Sequence, residues 1–587
     1  MIYLGIYTGH NASAALMQNG KIIFALQEER FTNLKNFYGY PSKSIDHCLK
    51  FVENENLTID VAAFATINHP LFFPKYRFNN YFSIADFDKF YSISLDQKKA
   101  ISFVKNHKKS KKNIGLYLPF NKVKEKDYFN EKFARKVFED QLKNQAGKLI
   151  KKITFLDHHT CHAYYSYYSS EKRKDKSCVV SIDSFGDGAN QTIWIVNKGK
   201  IKLVAKTDQF EVARIYKFIT LILNMKPEEH EFKVMGLSAY SKKKYILDVY
   251  KKVFENIQKF DGVKIVHNKR PKNLYKFLKE ATKDIRFDNI AGGLQYFVEK
   301  IIKDLLIRIN KKYNVKNFYF SGGVAMNVKM YNELGKLKFV NYIYSPPSSS
   351  DESLSIGACY FLSKNIKNFP ITNIYLGKNL IKNNEKVSFN FLRKKLPMKD
   401  FQIKSNFSHK SLASLLIKNN VIAVAREREE FGARALGNRS IIANPSNYEV
   451  VQSINESIKN RDFWMPFALT ILKDKHQKFI HNKKNFDCDY MTMSFDTKKE
   501  LYNKIKAGCH PYDKTVRPQI LNKNSNPNYY SIIHNFYKKT KIPALLNTSL
   551  NLHGNPMASS LDNVIFTFKN SGLKYLYIND NFLIKKK

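Results

Sequence analysis

The sequence predicts an α/β protein of two large domains built on open sheets, and three observations carry that reading. Apolar, strand-like runs end in polar, Gly-rich turns at three places: Ile2 to Tyr7 before Gly9-His10-Asn11, Cys178 to Ile182 before Asp183 to Gly188, and Asn317 to Phe320 before Ser321 to Asn327. Open sheets place ligands at such strand ends. Helical apolar spacing alternates with the strands, as from Leu294 to Ile307. At 587 residues, 43% of them hydrophobic, the chain exceeds one ordinary core and can fill two large domains, or two halves plus one further domain.

The elements follow in order. Residues 2 to 7 and 21 to 27 read as strands joined by the turn around Gly9 and Gly20. Ile153 to Leu156 is a strand, followed by a helix and then the strand that ends at Asp183. Tyr342 to Tyr344 is a short strand, and it feeds Ser345 to Asp351, whose serines are expected to cap a helix containing Ser355 to Ala358. From Lys364 to Lys386 the pattern is polar and irregular, which sets a first domain at 1–365 and a second at 386–587. In the second, Leu412 to Ile417 reads as helix and Val421 to Ala425 as strand. No period of solenoid or propeller type repeats.

Lys plus Arg number 98 against 51 acidic residues, a formal charge of +47, which favours anionic partners. The lysines are scattered in short groups, such as Lys105 to Lys112 and Lys585 to Lys587, without the patterns of nucleic-acid readers. Phe and Tyr, at 45 and 35, are abundant chain-wide, so single aromatics do not read as stacking platforms. The strand at Met1 to Ile6 leaves no room for a signal peptide, and no apolar run is long enough to span a bilayer. Cys48, Cys161, Cys178, Cys359, Cys488 and Cys509 lack paired short spacing and read as reduced thiols of a cytoplasmic protein.

The chemistry concentrates at three segments. His158 and His162 follow a strand four residues apart, so a helix capped by Asp157 would set both rings on one face, about 5 to 6 Å apart and within reach of one ion. An imidazole pair favours zinc, iron or related metals over magnesium, and an oxygen ligand such as Asp351 leaves iron, manganese and zinc open. His159 lies off that face, as a base toward substrate or bonded to its surroundings. The turns at Gly9 and Gly186 can direct N–H groups at phosphate oxygens, while Asp183 and Asp187 suit positioning of a metal-bound water or a hydroxyl. His10, on the first turn, is the candidate for acid–base work in group transfer. P-loop spacing is absent from both turns.

These segments, with Gly5 to Ala15, Asp157 to Ala163, Asp183-x3-Asp187-Gly188, Lys233 to Leu237 and Ser321 to Asn327, resemble the O-carbamoyltransferase family of nodulation-type and aminoglycoside- or cephem-modifying enzymes. The resemblance runs from Met1 to about Phe582 and implies a Kae1-like domain of the actin and sugar-kinase ATPase fold, with two similar lobes, followed by a YrdC-like α+β domain. It implies that the second domain joins carbamoyl phosphate to the adenylyl group of Mg-ATP with loss of pyrophosphate. The first then carbamoylates a hydroxyl of a saccharide or related small molecule. His158, His162 and Asp351 would hold an Fe2+-like ion, with manganese or zinc as alternatives. Gly9, Asn11, Ser13, Asp183, Asp187, Gly188, Lys233, Gly322, Gly323 and Asn327 would line the nucleotide site, with His10 and His159 catalytic.

In the second domain the matching pieces are Phe431 to Ile441, Asn455-x3-Lys459-x-Arg461, Pro466 to Ala468, His510-x2-Asp513-x-Thr515-x-Arg517-x-Gln519, and Asn547 to Pro556. The resemblance assigns catalysis to Arg439 and Arg517. It assigns substrate binding to Arg434, Asn438, Lys459, Arg461, Gln519, Asn547, Thr548 and Ser549, with the arginines as forks for phosphate. Ala433, Met465, Leu550 and Asn555 depart from the family's usual proline, arginine, phenylalanine and glutamate, and Met465 removes a charge beside the expected clamp. A tRNA threonylcarbamoyl-transfer enzyme would use the same two folds, and a nucleic-acid-binding protein would use the charge, but the first fits the motif order less well and the second leaves the polar segments without a role. Peripheral membrane association and homo-oligomers remain compatible with the sequence.

Overall fold

The computed structural model describes residues 1–73, 81–108, 123–381 and 387–587, so Lys109 to Lys112 of the basic group and residues 382–386 of the polar stretch lie outside the described residues. Two compact units make up the chain, Met1–Ile371 and Thr372–Lys587.

The first unit holds two five-stranded sheets. One consists of β1 (Ile2–Tyr7), β2 (Ser13–Gln18), β3 (Lys21–Gln27), β4 (Val61–Phe64) and β5 (Ile153–Phe155) in the order β3-β2-β1-β4-β5. The strands β1 to β3 run antiparallel in sequence, while β4 and β5 run parallel to β1. The other consists of β6 (Ser177–Gly186), β7 (Ala189–Asn197), β8 (Lys200–Thr207), β11 (Asn317–Ser321) and β12 (Tyr342–Tyr344), beyond a small hairpin of β9 (Gln258–Asp261) and β10 (Lys264–His267). Its order β8-β7-β6-β11-β12 repeats the first sheet in both sequence and direction. Two lobes of one topology form the arrangement of the actin and sugar-kinase fold.

Strand β2 replaces the single turn expected between residues 7 and 21. Ser and Ala have low strand propensity, but Ala14, Ala15, Leu16 and Met17 are all fully buried, so packing overrides propensity here. The helix Leu354–Leu362 lies close against this sheet: a Cβ on Gly5 would stand 1.8 Å from the Ser355 carbonyl oxygen. The same helix crosses His158–Tyr168 so tightly that a Cβ on Gly357 would stand 2.0 Å from the Cys161 carbonyl oxygen. Gly357→Ala should therefore cost about 1–3 kcal/mol by forcing the helices apart. Thermal unfolding should show the loss, and weaker metal retention should accompany it because one of these helices carries His158 and His162.

The expected serine cap is not formed. A short 3-10 turn, Asp351–Ser353, precedes the helix, and the Ser353 hydroxyl donates back to the Ser350 carbonyl rather than accepting from the helix. The spacing seen from Leu294 to Ile307 is part of a longer helix, Phe287–Tyr313.

The second unit is built on a mixed eight-stranded sheet. Its strands are β13 (Phe401–Lys404), β14 (Ile422–Ala425), β15 (Arg439–Ala443), β16 (Ala468–Leu472), β19 (Pro518–Leu521), β20 (Ala544–Ser549), β21 (Tyr575–Ile578) and β22 (Phe582–Lys586), with β17 (Phe495–Asp496) and β18 (Thr515–Val516) paired apart from it. The order is β13-β22-β21-β14-β15-β20-β16-β19, and only β14-β21 and β16-β19 pair in parallel. Leu392, Ile441, Leu546, Val564 and Phe568 lie in its core, and Leu550 is packed there as well. All six cysteines are buried and free. Among the described residues no helix is long and apolar enough to cross a membrane.

Candidate functional sites

The Asp157 side chain caps the helix His158–Tyr168 by accepting from the Thr160 N–H at 2.8 Å, as its place before the H-x3-H pair predicts. One helical turn then sets the His158 and His162 rings edge to face, with centroids 4.8 Å apart. Asp183, near the end of β6, and Asp351, in the 3-10 turn, reach the same point, so that one ligand atom from each of the four lies within 4.8 Å of all the others. His162 Nε2 lies 3.2 Å from Asp183 Oδ2 and 3.6 Å from Asp351 Oδ1, and His158 Nε2 lies 3.8 Å from Asp351 Oδ1.

These residues fit a cation. His158 Nε2 and Asp351 Oδ1 are buried without a hydrogen-bond partner, a costly state for polar atoms that a bound ion removes. Burial opposes charging of His158, yet Asp183 and Asp351 outweigh it and push its pKa up to about 9. Burial opposes ionisation of Asp183 too, but the two imidazoles hold it well below the usual carboxylate range. Two nitrogens and two carboxylate oxygens suit iron, manganese or zinc. Tyr7 donates to Asp351 Oδ2 at 2.6 Å, which leaves Oδ1 turned toward the histidines. Gly9 makes room for that phenol, since a Cβ there would lie 2.2 Å from the Tyr7 hydroxyl.

The remaining residues expected in the first unit separate into those that face this centre and those used by the protein. His10 is half-buried, with Nε2 enclosed and lacking a hydrogen-bond partner. Asn11, at φ 61°, donates to Glu352, and the Gly323 N–H donates to Asp183 Oδ2 at 3.1 Å. Gly322, at φ 87°, lies so close to β6 that a Cβ would meet the Ile182 carbonyl at 2.2 Å. Gly188 turns the β6–β7 hairpin at φ 75°. Lys233 is in the helix Glu231–Leu237 beside His230.

Four expectations are corrected. His159 Nε2 donates to the Ala189 carbonyl and Nδ1 accepts from Ser181, so neither nitrogen is left to act as a base; burial, with His158 and His162, holds its pKa down to about 3. Asp187 does not face a ligand, because Thr66 Oγ1 and the N–H groups of Ile67, Asn68 and His158 all donate to it. Ser13 donates to the Glu352 carbonyl and to Ser355, tying the first turn to the last helix. Asn327 exchanges a pair of amide hydrogen bonds with Gln295 and caps the next helix at Met330. In each case the polar side chain is consumed in holding the protein together.

The second unit divides its residues the same way. Arg439 is fully buried, and its guanidinium donates to the carbonyls of Ser559, Arg426, Asn438 and Glu427, so it holds loops and is not open to phosphate. Asn438 joins the Arg428 carbonyl to Asn526, and Gln519 joins the Leu436 carbonyl to Thr470. Asn547 donates to the Ala435 carbonyl and Thr470, with Oδ1 buried and unpartnered.

Arg434, Arg461 and Arg517 instead crowd together. Burial and Arg434 lower the Arg461 pKa to about 10, and burial with both neighbours lowers Arg517 strongly. Arg517 Nε is buried without a hydrogen-bond partner. Arg461 donates to Thr548, while Lys459 donates to Ser549 and to Asn551. Like charges held together in half-buried positions favour an anion between them. Met465 is buried, 8% exposed, and adds no charge to this group.

Sequence reasoning did not assign Tyr7 to the centre or Asp183 to the ligand set. Each lies at or near the end of its strand, and that position is the signal that could have found them.

Comparisons with known proteins cover both units. The chain is 30% identical to an uncharacterized protein of Methanocaldococcus jannaschii over 99% of each chain. It is 24% identical to the nodulation protein NolNO of Sinorhizobium fredii over 98% of this chain and 79% of that one. Among solved structures, component A of the (R)-2-hydroxyglutaryl-CoA dehydratase of Acidaminococcus fermentans covers 62% of this chain and 97% of its own at 13% identity, with a TM-score of 0.32. The carbamoyltransferase N-terminus family matches residues 2–360, and the carbamoyltransferase C-terminus family matches residues 413–586. With matches spanning both the metal-type centre and the arginine cluster, the chain belongs to the carbamoyltransferase family and is a carbamoyl-transferring enzyme.

Proposed function

We propose that this enzyme is an ATP-dependent O-carbamoyltransferase working in two half-reactions, the first in a YrdC-like second unit and the second in the Kae1-like first unit. In the first, water cleaves the phosphate from carbamoyl phosphate and leaves carbamate. A carbamate oxygen then attacks the α-phosphorus of Mg-ATP, the bond to the β-phosphate oxygen breaks, and pyrophosphate leaves as carbamoyl adenylate forms. Arg434, Arg461, Arg517 and Lys459 hold the phosphates, and Thr548 and Ser549 orient Arg461 and Lys459. The observation that carries this reading is the crowding of three guanidiniums whose mutual repulsion an anionic substrate relieves.

In the second half-reaction an acceptor hydroxyl attacks the carbamoyl carbon, the bond to the phosphate oxygen breaks, and the electron pair leaves with AMP. His10, on the first turn with Nε2 enclosed and lacking a hydrogen-bond partner, takes the hydroxyl proton. His158, His162, Asp351 and Asp183 would hold the metal, iron in our reading, and a bound ion supplies charge stabilisation to the departing phosphate. Gly323 and Asn11 keep the surrounding turns in place. A saccharide or related small molecule as acceptor rests on the likeness to the nodulation-type enzymes.

Pyrophosphate release by the purified chain, with ATP, carbamoyl phosphate and acceptor omitted in turn, tests the order of steps. Release should need the first two and not the third. Equal release without carbamoyl phosphate would exclude the adenylate.

A further inference from the structure

The end of β6, which carries Asp183, also exposes an aromatic ring. Phe185 is 51% exposed, although it stands two residues from Asp183 and next to Gly186, where a Cβ would meet the His158 ring at 2.4 Å. Aromatics are common throughout this chain, but this one is set on the lip of the metal-type centre. Leaving a phenyl in water forgoes roughly 1.5–3 kcal/mol of burial. The Arg214 guanidinium lies over its ring, 5.6 Å from the centroid.

Arg214 is held from below. Glu211, 1% exposed, takes Arg214 at 3.3 Å, Arg270 at 3.1 Å and His267 Nε2 at 3.0 Å, while its own N–H donates to Gln258. One buried carboxylate therefore fixes two guanidiniums, and the Arg270 side chain remains 50% exposed. The result is a ledge with a positive surplus and one open aromatic face, bordering the place where the acceptor hydroxyl must arrive. Aromatic faces pack against sugar rings or bases, and guanidinium forks bind phosphate oxygens.

We propose that Phe185, Arg214 and Arg270 seat the acceptor, and that the acceptor is a saccharide carried on a phosphate or diphosphate, with its ring on Phe185 and its phosphate on the arginines. This rests on the O-carbamoyltransferase reading and adds the chemical class of the acceptor. A nucleotide-linked and a lipid-linked sugar share that chemistry.

Titration calorimetry on the metal-loaded full chain should use UDP-N-acetylglucosamine, polyprenyl-diphosphate N-acetylglucosamine in micelles, free N-acetylglucosamine and AMP. At least one phosphate-linked probe should bind, with the free sugar about 100-fold weaker or more, and the tighter arm identifies the carrier. Phe185→Ala and Arg214→Gln should each weaken that probe by about tenfold or more, Phe185→Trp should retain it, and Arg214→Lys should recover part of it. Metal content and circular dichroism should match the unmodified chain. The proposal is overturned if neither phosphate-linked probe binds, if free sugar binds as tightly, if the variants bind normally, or if they lose AMP as much as the sugar. Absence of carbamoyl-phosphate-dependent pyrophosphate release in the same preparation would defeat the adenylate reading separately, without altering what the titration says of the ledge.

Discussion

Replacing His162 by alanine should strip the metal from the purified enzyme and lower carbamoyl transfer by at least about 100-fold, because even residues that only support metal ligands are worth 10- to 100-fold. The ring is fully buried, with Nε2 within 3.6 Å of both carboxylates, so its loss leaves two carboxylates, one buried and one half-buried, facing a single imidazole. His158→Ala, Asp351→Asn and Asp183→Asn should behave alike, whereas His159→Ala should keep the metal, since both its nitrogens are bonded to Ser181 and Ala189. It should instead unfold at a lower temperature. Elemental analysis beside thermal unfolding separates the outcomes, and full metal content in the His158 and His162 variants would refute the assignment.

The second large effect is a split between two arginines. Arg439→Ala should cost about 3–5 kcal/mol, because four backbone carbonyls, three of them buried, lose a charged donor. For a unit of this size that lowers the melting temperature by roughly 10 °C. Arg517→Ala should not destabilise the fold, since it removes one of three mutually repelling guanidiniums, yet it should cut pyrophosphate release by about 100-fold or more through the lost phosphate contact. Thermal unfolding and pyrophosphate assays of both variants give the comparison. A stable, inactive Arg439→Ala together with an unfolded Arg517→Ala would invert the assignment.

In sequence, those two arginines look the same: each stands in a turn with Gly, Asn or Gln nearby, and each belongs to a family motif. What distinguishes them is the company their guanidiniums keep after folding. Arg439 opens β15, where loops from residues 426, 427 and 559 enclose it, while Arg517 precedes β19 and lies among other cations. Asp187 and Asp183 show the same divergence within one hairpin, four residues apart. The first ties down the loop at residues 66–68, and the second joins the histidines.

The sequence by itself determined the features that depend on neighbours along the chain. Helical period sets His158 and His162 on one face, Asp157 caps their helix, and the strand-then-turn pattern locates the loops where chemistry gathers. The motifs also carried the family. Only the tertiary structure decided which polar side chains face a ligand and which satisfy buried backbone, because that depends on groups more than a hundred residues apart arriving at one point, as Asp351 does beside His162. Burial then makes an unpaired polar atom costly, so each turn residue must find either a protein partner or a ligand, and only the folded chain shows which of the two is within reach.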